Sequence, residues 1–343
     1  MQNHPTPVAL AIVGPGRMGQ LYARIAAESA TMRIVALCGR GAESTQAAAT
    51  AYGVPGYANG DYGAMLAAHP EIEAVIVSAS EWAHIEPVLA SLDAGKHVLV
   101  EKPMAIRVAD AARMVEQAAK AGVHLMVCHS LRFDLRFAAL RQAVAQGAVG
   151  EVLHLYARRN APQTAVERVI GRCPLAFWLA PHDIDMILWT TGSSVHKVMA
   201  FSKAGGKERQ DFIIAVLTFA NGAIGVLESS WGTPAVSGQP LTEQFTVRGT
   251  GGMVELLSNQ TGVGVYRAGS APEYPDIGYT PVIHDQQDGM FRRLLHHFVG
   301  VVRNQHPPVV TGSDGLAAIR VAEAINRSLG TGREVLVSEE PSK

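Results

Sequence analysis

Residues 8–19, VALAIVGPGRMG, decide the fold of the first half of this chain. Residues 8–13 form a short apolar run typical of a buried strand, and Gly14 to Gly19 spell GxGxxG before a segment with helical spacing. A strand, a glycine loop and a helix in this order favour the binding of a dinucleotide pyrophosphate, because the free N–H groups at the helix start attract an anion. Gly14 would make the tight turn, Gly16 would admit the pyrophosphate, and Gly19 would let the helix pack on the sheet. The alternative is an ordinary glycine-rich turn.

The pattern repeats along the chain. Further strands are predicted at 33–38, 74–78, 97–100 and 124–128, with helices at 43–52, 85–94 and 109–121 between them. Strands that alternate with helices of this length predict βαβ units in a parallel sheet. We therefore predict an α/β protein whose residues 1–128 form an NAD(P)-binding Rossmann domain with a doubly wound parallel sheet.

The pattern changes after residue 128. Two β-rich runs, 211–219 and 223–231, are joined by Asn221-Gly222, and 244–250 and 253–257 are joined by Gly251-Gly252. Such dipeptides are hairpin signals because they accept positive φ. Residues 129–343 are therefore predicted to form a C-terminal α+β domain with an open, mostly antiparallel sheet.

The residue at the end of the second strand bears on the choice of cofactor. An NAD site usually carries Asp or Glu there to bond the ribose 2′-OH, whereas this chain has Gly39-Arg40-Gly41. A guanidinium binds a phosphate with two parallel hydrogen bonds, so Arg40 favours NADP. NAD stays open, with Glu43 as a substitute for the missing acid.

Composition excludes several other classes of protein. The 343 residues carry a net charge of −1, with 48% hydrophobic residues and no basic block. Neither a nucleic-acid nor an anionic-membrane partner is therefore expected. Three cysteines without a CxxC pair indicate neither a disulfide framework nor a zinc ribbon, and no spacing suggests another metal site. We expect a cytoplasmic globular protein.

Two segments carry candidate chemistry. Glu101-Lys102-Pro103 follows a predicted strand at the carboxyl edge of the sheet, where open α/β sheets bind ligands. A cis peptide at Pro103 would aim Lys102 into the cleft. A lysine there can hold or relay a proton, and its position at the end of a buried strand favours this role. The alternative is a surface Glu-Lys pair at the start of a loop. His182 and Asp185 lie three residues apart and share a helix face, which suits a general acid–base pair. Asp183 is expected to serve the helix start, near the positive end of its dipole.

Together these motifs resemble the Gfo/Idh/MocA oxidoreductases over essentially the whole chain. The landmarks are Gly14 to Gly19, His84, residues 94–98 (AGKHV), 101–103 (EKP), 132–134 (RFD), 147–151 (GAVGE), 182–185 (HDID), 249–252 (GTGG) and 310–315 (VTGSDG). The resemblance implies a Rossmann domain, then a domain whose open sheet packs in homodimers or homotetramers. It also implies hydride transfer between a nicotinamide and a sugar, cyclitol or related substrate.

The resemblance also implies residue roles. Lys102 matches the lysine that handles the proton of the reacting hydroxyl, His182 the acid–base histidine, and Asp185 a carboxylate that binds substrate hydroxyls. Arg159 and Asn160 resemble a substrate-binding segment. Trp178 stands where inositol dehydrogenases commonly carry Asp, and the loop 161–181 also contains Arg168 and Arg172. These departures leave a sugar acid open as substrate, because arginines bind carboxylates and an aromatic face stacks on a sugar ring. The alternative for Trp178 is that it packs the loop.

The expected site is thus a defined set of residues. The expected cofactor-binding residues are Gly14, Gly16, Arg17, Met18, Gly19, Gly39, Arg40, Ser78, Ser80, His84, Glu101, Lys102 and Arg132. The expected substrate-binding residues are Lys102, Arg159, Asn160, Trp178, His182 and Asp185, of which Lys102, His182 and Asp185 are also expected to be catalytic. Two other functions stay open: a redox-recycling epimerase or eliminating enzyme that retains its cofactor, and a non-catalytic dinucleotide sensor.

Overall fold

The structure is a computed structural model that describes residues 6–162, 173–203, 212–233, 241–257, 263–267, 269 and 274–337. It divides into two compact units. Unit 1 comprises Met1–Ser130 and Tyr279–Leu316, and unit 2 comprises Leu131–Gly278 and Ala317–Lys343. A single boundary at residue 128 therefore does not describe these units.

The segment 279–316 belongs to unit 1 through side-chain contacts that its own sequence does not predict. Phe291 packs edge-to-face on Tyr22, with ring centroids 6.2 Å apart. Arg303 forms an ion pair of 2.7 Å with Glu73. The sequence prediction placed this segment in the second domain because it follows residue 128. Its contacts with Tyr22 and Glu73 place it in unit 1.

Unit 1 contains a parallel sheet of six strands in the order β3-β2-β1-β4-β5-β6. The strands are β1 Val8–Val13, β2 Met32–Cys38, β3 Gly56–Tyr57, β4 Ala74–Val77, β5 His97–Val100 and β6 Leu125–Val127. Every residue of β1 and β4 is buried, as expected of parallel strands covered on both faces. The predicted Rossmann fold is confirmed.

Helices connect these strands. They are α1 Arg17–Ala27, α2 Ala42–Tyr52, α3 Tyr62–Ala68, α4 Ile85–Asp93 and α5 Val108–Ala121. α2 and α5 end at Gly53 and Gly122, which adopt φ of 65° and 68°. Glycine takes this left-handed conformation at little cost, so the predicted helix ends are confirmed. The later segment adds a two-stranded ribbon, β13 Val282–Ile283 with β14 Gln286–Gln287, and helix α9 Met290–Val302.

Unit 2 is built on a sheet of seven strands in the order β12-β11-β7-β10-β9-β8-β15. The strands are β7 Val152–Pro162, β8 Val195–Phe201, β9 Phe212–Phe219, β10 Ile224–Thr233, β11 Thr242–Gly249, β12 Met253–Leu257 and β15 Val335–Leu336. β10 pairs with β7 in parallel, and the other described pairs are antiparallel. Both predicted hairpins are present.

The two faces of this sheet differ. The remaining helices are α6 Leu135–Ala145, α7 Leu175–Trp178, α8 Ala180–Thr191 and α10 Gly312–Thr331. α8 packs against β7 and β10. On β9, Ala215 is fully buried, whereas Ile214 and Val216 on the opposite face are 38% and 36% exposed. We call the face that carries Ile214 and Val216 the open face. No described helix is both long enough and apolar enough to cross a membrane.

Candidate active-site residues

The glycine loop has the conformation that the GxGxxG pattern predicts. Gly14 has φ +92°, and a Cβ on it would lie 2.5 Å from the backbone N of Ala79. A Cβ on Gly19 would meet the Gly14 carbonyl oxygen, so Gly19 allows α1 to start against the loop. A Cβ on Gly16 would meet no atom within 4 Å, which leaves space over the loop. Ser78 Oγ donates a 2.8 Å hydrogen bond to the Gly14 carbonyl and so braces the turn.

The first turn of α1 faces this space. Gly16 is the N-cap, with no side-chain hydrogen bond to the helix. Arg17 is exposed and Met18 half-buried. The loop therefore fits a dinucleotide pyrophosphate, since it offers backbone N–H groups at a helix start and a glycine that admits close approach.

Arg40 lies just beyond the end of β2, the position at which the 2′ group of a dinucleotide's ribose would be recognised. Its guanidinium carbon lies 4.2 Å from the centroid of the Trp82 ring. Gly39 packs closely against Pro15, since a Cβ on Gly39 would lie only 2.8 Å from Pro15 Cδ. Ser80 is half-buried and occupies the N-cap position of the short 3₁₀ turn Glu81–Ala83, which carries Trp82. Trp82 is absent from the predicted site, although its position after β4 marks the same sheet edge.

His84 connects two backbone segments at this edge. Its side chain is buried; Nδ1 lies 3.0 Å from the Pro103 carbonyl oxygen and Nε2 3.0 Å from that of Ala79. Burial lowers its pKa, opposed by hydrogen bonds to these carbonyls. The Lys102-Pro103 peptide is cis. Both ring nitrogens of His84, which was expected to contact the cofactor, thus lie at hydrogen-bond distance from backbone carbonyl oxygens.

Glu101 belongs to a buried cluster with Tyr22 of α1 and Cys128. Tyr22 Oη donates to Glu101 Oε1 at 2.5 Å and also lies 2.7 Å from Cys128 Sγ. The other carboxylate oxygen accepts the Lys102 backbone N–H at 3.0 Å. Burial and the Glu101 charge raise the pKa of Cys128 well above its usual value. Glu101 is therefore directed at the protein and holds the backbone of Lys102, whose side chain is half-buried.

In unit 2, Asp185 is paired with Arg132. Arg132 Nε and Nη2 donate to the two carboxylate oxygens at 2.9 and 2.6 Å, and both side chains are nearly fully buried. The Arg132 guanidinium also lies 5.2 Å from the Trp189 ring. Arg132 was expected to contact the cofactor and Asp185 the substrate; the structure pairs the two with each other. A bidentate ion pair holds α8 to the segment that precedes α6.

A second buried ion pair lies on the same helix. Arg159 donates to Asp183 through Nε at 2.8 Å and Nη2 at 3.1 Å, and through Nη1 to Glu243. Arg159 is 2% exposed. Burial raises the pKa of Asp183, and Arg159 opposes that shift. Asp183 lies in the first turn of α8, as expected, and is in addition an ion-pair partner of Arg159. Both carboxylates that Arg159 contacts belong to the protein.

Glu243 extends this network. It lies on β11 and also accepts from Arg136 Nη2 at 3.4 Å, and Arg136 pairs with Asp134 at 2.7 Å. Sequence reasoning missed Glu243. The signal for it was a lone carboxylate at an inward position of a strand whose alternate residues are apolar.

His182 is the third residue of α8, which begins at Ala180. It is half-buried and is followed by the two locked carboxylates Asp183 and Asp185. Two buried ion pairs, formed by Asp183 and Asp185, therefore hold the helix that carries His182.

Asn160 and Arg159 point to opposite faces of β7, as neighbours on a strand must. Asn160 Nδ2 donates to Glu228 Oε1 at 3.0 Å, and Ser230 Oγ donates to Asn160 Oδ1 at 2.7 Å. Asn160 therefore belongs to a polar cluster on the open face. Arg159 and Asn160, both expected to bind substrate, therefore lie on opposite faces of the sheet.

Trp178 ends the short helix α7. Its ring packs on that of Trp231, with centroids 4.9 Å apart, and it stays half-buried. Arg168 and Arg172 lie outside the described residues. Within the described part of the chain, no group of three or more metal-ligating side chains comes together.

The fold and glycine loop define a dinucleotide-binding enzyme, and comparison with known proteins identifies its family. An oxidoreductase family with an NAD-binding Rossmann fold matches residues 8–129, and the Gfo/Idh/MocA C-terminal domain matches residues 137–255. The chain belongs to the Gfo/Idh/MocA family of NAD-binding oxidoreductases, and the resemblance noted from its motifs is confirmed.

Individual relatives span most of this chain. This chain is 32% identical to a myo-inositol 2-dehydrogenase of Thermotoga maritima, over 79% of this chain and 81% of that protein. It is 27% identical to a 1,5-anhydro-D-fructose reductase of Ensifer adhaerens, over 78% and 80% of the two chains. The crystal structure of a probable dehydrogenase from Thermotoga maritima superposes with a TM-score of 0.81 at 27% identity, covering 96% of this chain and 99% of that one.

Proposed function

We propose that this enzyme is an NADP-preferring dehydrogenase or reductase of a sugar, cyclitol or sugar acid. The observation that carries the proposal is the cluster at the end of β5, where Glu101 is fixed by Tyr22 and in turn holds the backbone of Lys102. A lysine held at the carboxyl end of a Rossmann strand is placed to handle a proton beside a nicotinamide. Relatives named for inositol and anhydrofructose substrates support the substrate class.

The cofactor, when bound, accepts or donates the hydride at its nicotinamide. We assign the proton of the reacting hydroxyl to His182 and its polarisation to Lys102. Histidine suits this role because its ordinary pKa lies near neutrality. Asp185 acts by orienting His182, since its ion pair with Arg132 secures α8 on the residues just before α6.

NADP preference is supported by Arg40 and by the absence of an acid at the end of β2. A guanidinium at this position complements a ribose 2′-phosphate, whereas NAD-specific sites usually carry a carboxylate there. The pyrophosphate would be held by the loop Gly14 to Gly19. Trp178, half-buried against Trp231, is proposed to offer an aromatic face to the C–H side of a sugar ring.

We further propose that the chain forms a homodimer or homotetramer through the open face of unit 2. The support is its exposed apolar residues, including Phe201 at 53% exposure and Ile214 at 38%. A cytoplasmic location is supported by Cys38 and Cys128, which are buried free thiols.

The test is reduced-nicotinamide absorbance across cyclitols, aldoses, ketoses, uronates and amino sugars, with NAD and NADP in both directions. A substrate found in this panel is then assayed with Lys102→Met and His182→Asn. We expect each variant to lose about 10²-fold or more in kcat, as is usual for removal of an acid–base group. Matched controls are Lys96→Met, at the other end of β5, and His196→Asn, an exposed histidine on β8.

Full turnover by His182→Asn with normal cofactor binding would overturn the assignment of the histidine. No turnover with any panel member, combined with cofactor that stays bound through purification, would instead support the redox-recycling alternative.

A further inference from the structure

Trp82 and Arg40 meet across the edge of the unit 1 sheet. Arg40 follows β2, and Trp82 lies in the turn after β4; β1, which leads into the glycine loop, separates these two strands in the sheet. The Arg40 guanidinium carbon lies 4.2 Å from the Trp82 ring centroid. This distance is within the range of an attractive cation–π contact.

The contact leaves the charge of Arg40 available. No carboxylate among the described residues forms an ion pair with Arg40, whereas the buried arginines Arg132 and Arg159 do form ion pairs with carboxylates. A guanidinium that stacks by its face keeps the N–H groups at its edge for an anion. Trp82 remains 48% exposed, so its ring is accessible beside the same edge.

We propose that Trp82 is a specificity-determining residue for NADP. Its indole face holds the Arg40 guanidinium in one orientation, with the N–H edge directed to the ribose 2′-phosphate. Ordering this long side chain before binding reduces the entropy lost when the phosphate is bound. The inference rests on the proposed NADP preference. Trp82 is expected to raise the affinity for NADP but not the affinity for NAD.

The test is a double-mutant cycle on cofactor affinity. Dissociation constants for NADPH and NADH are measured by nicotinamide fluorescence on the wild type, Trp82→Leu, Arg40→Gln and the double variant. We expect Trp82→Leu to weaken NADPH about 2- to 5-fold, the range of an exposed cation–π contact, and to change NADH less than about 1.5-fold. Trp82→Phe, which keeps an aromatic face, should recover part of the NADPH affinity.

The cycle separates this inference from the proposed cofactor preference. In the Arg40→Gln background, Trp82→Leu should have no further effect on NADPH. Equal losses for NADPH and NADH, or a persistent NADPH loss in that background, would overturn the role of Trp82 while leaving NADP preference intact. A wild type that binds NADH as tightly as NADPH would overturn the preference itself. Unchanged far-UV circular dichroism of each variant shows that it is folded.

Discussion

Replacing Arg159 by methionine removes the cation that two buried carboxylates share. Asp183 and Glu243 are 1% and 3% exposed, and both accept hydrogen bonds from Arg159. Methionine keeps much of the side-chain volume but carries no charge. Arg158→Met is the matched control, because the preceding residue of β7 is a half-buried arginine directed to the open face.

The expected cost follows from the burial of the pair. Breaking a buried ion pair by removing one partner costs about 3–5 kcal/mol, since it leaves an uncompensated charge. For a unit of this size, that loss lowers the melting temperature by about 6–20 °C. Arg158→Met should cost less than about 1 kcal/mol, because Arg158 is half-buried and its removal breaks no buried ion pair among the described residues.

The cost should also depend on pH. Burial raises the pKa of Asp183 above its value in the unfolded chain, and Arg159 counteracts this shift. A carboxyl group with a raised folded-state pKa contributes stability below its unfolded pKa, and that contribution is lost as the pH rises through the folded pKa. Without Arg159 the pKa of Asp183 rises further. The deficit of Arg159→Met should therefore be small near about pH 4 and grow toward pH 8.

The assay is thermal unfolding followed by far-UV circular dichroism at several pH values, with wild type and both variants side by side. A melting temperature of Arg159→Met within about 2 °C of Arg158→Met at pH 8 would refute the argument, because it would mean that the carboxylates find other partners or water. A deficit that is independent of pH would refute the assigned role of Asp183 alone.

Three further predictions concern unit 1 and the thiols. Tyr22→Phe leaves a buried carboxylate oxygen without its hydroxyl donor and should lower the free energy of unfolding in urea by about 1–3 kcal/mol; no measurable change would contradict the hydrogen bond. Gly16 has φ −76° and open space around it, so Gly16→Ala should weaken NADPH binding while the free energy of unfolding changes by less than about 0.5 kcal/mol. Gly19→Ala should lose about 1–3 kcal/mol of that free energy, because the new Cβ meets a carbonyl oxygen. Equal unfolding curves for the two variants would contradict this contrast. Cys173, which is half-buried, should react with a thiol reagent at pH 8 before the fully buried Cys128, as mapped by mass spectrometry; the reverse order would argue against the burial of Cys128.

Local sequence determined the secondary structure and the nature of the fold. The run from Val8 to Val13 and the glycines after it predicted the strand, the loop and the start of α1, because these features depend on apolar periodicity and on φ at single residues. Asn221-Gly222 predicted the β9–β10 hairpin for the same reason. The positions of Lys102 at a strand end and of His182 at a helix start likewise follow from neighbours in the chain.

Tertiary structure alone decided what each charged side chain contacts. The sequence places Asp183, Asp185 and His182 on one helix, but only folding shows that Arg159 and Arg132 hold the two carboxylates. It also decided that residues 279–316 pack with unit 1. These pairings join residues far apart in the chain, and their free energy depends on burial, which no local pattern of residues encodes.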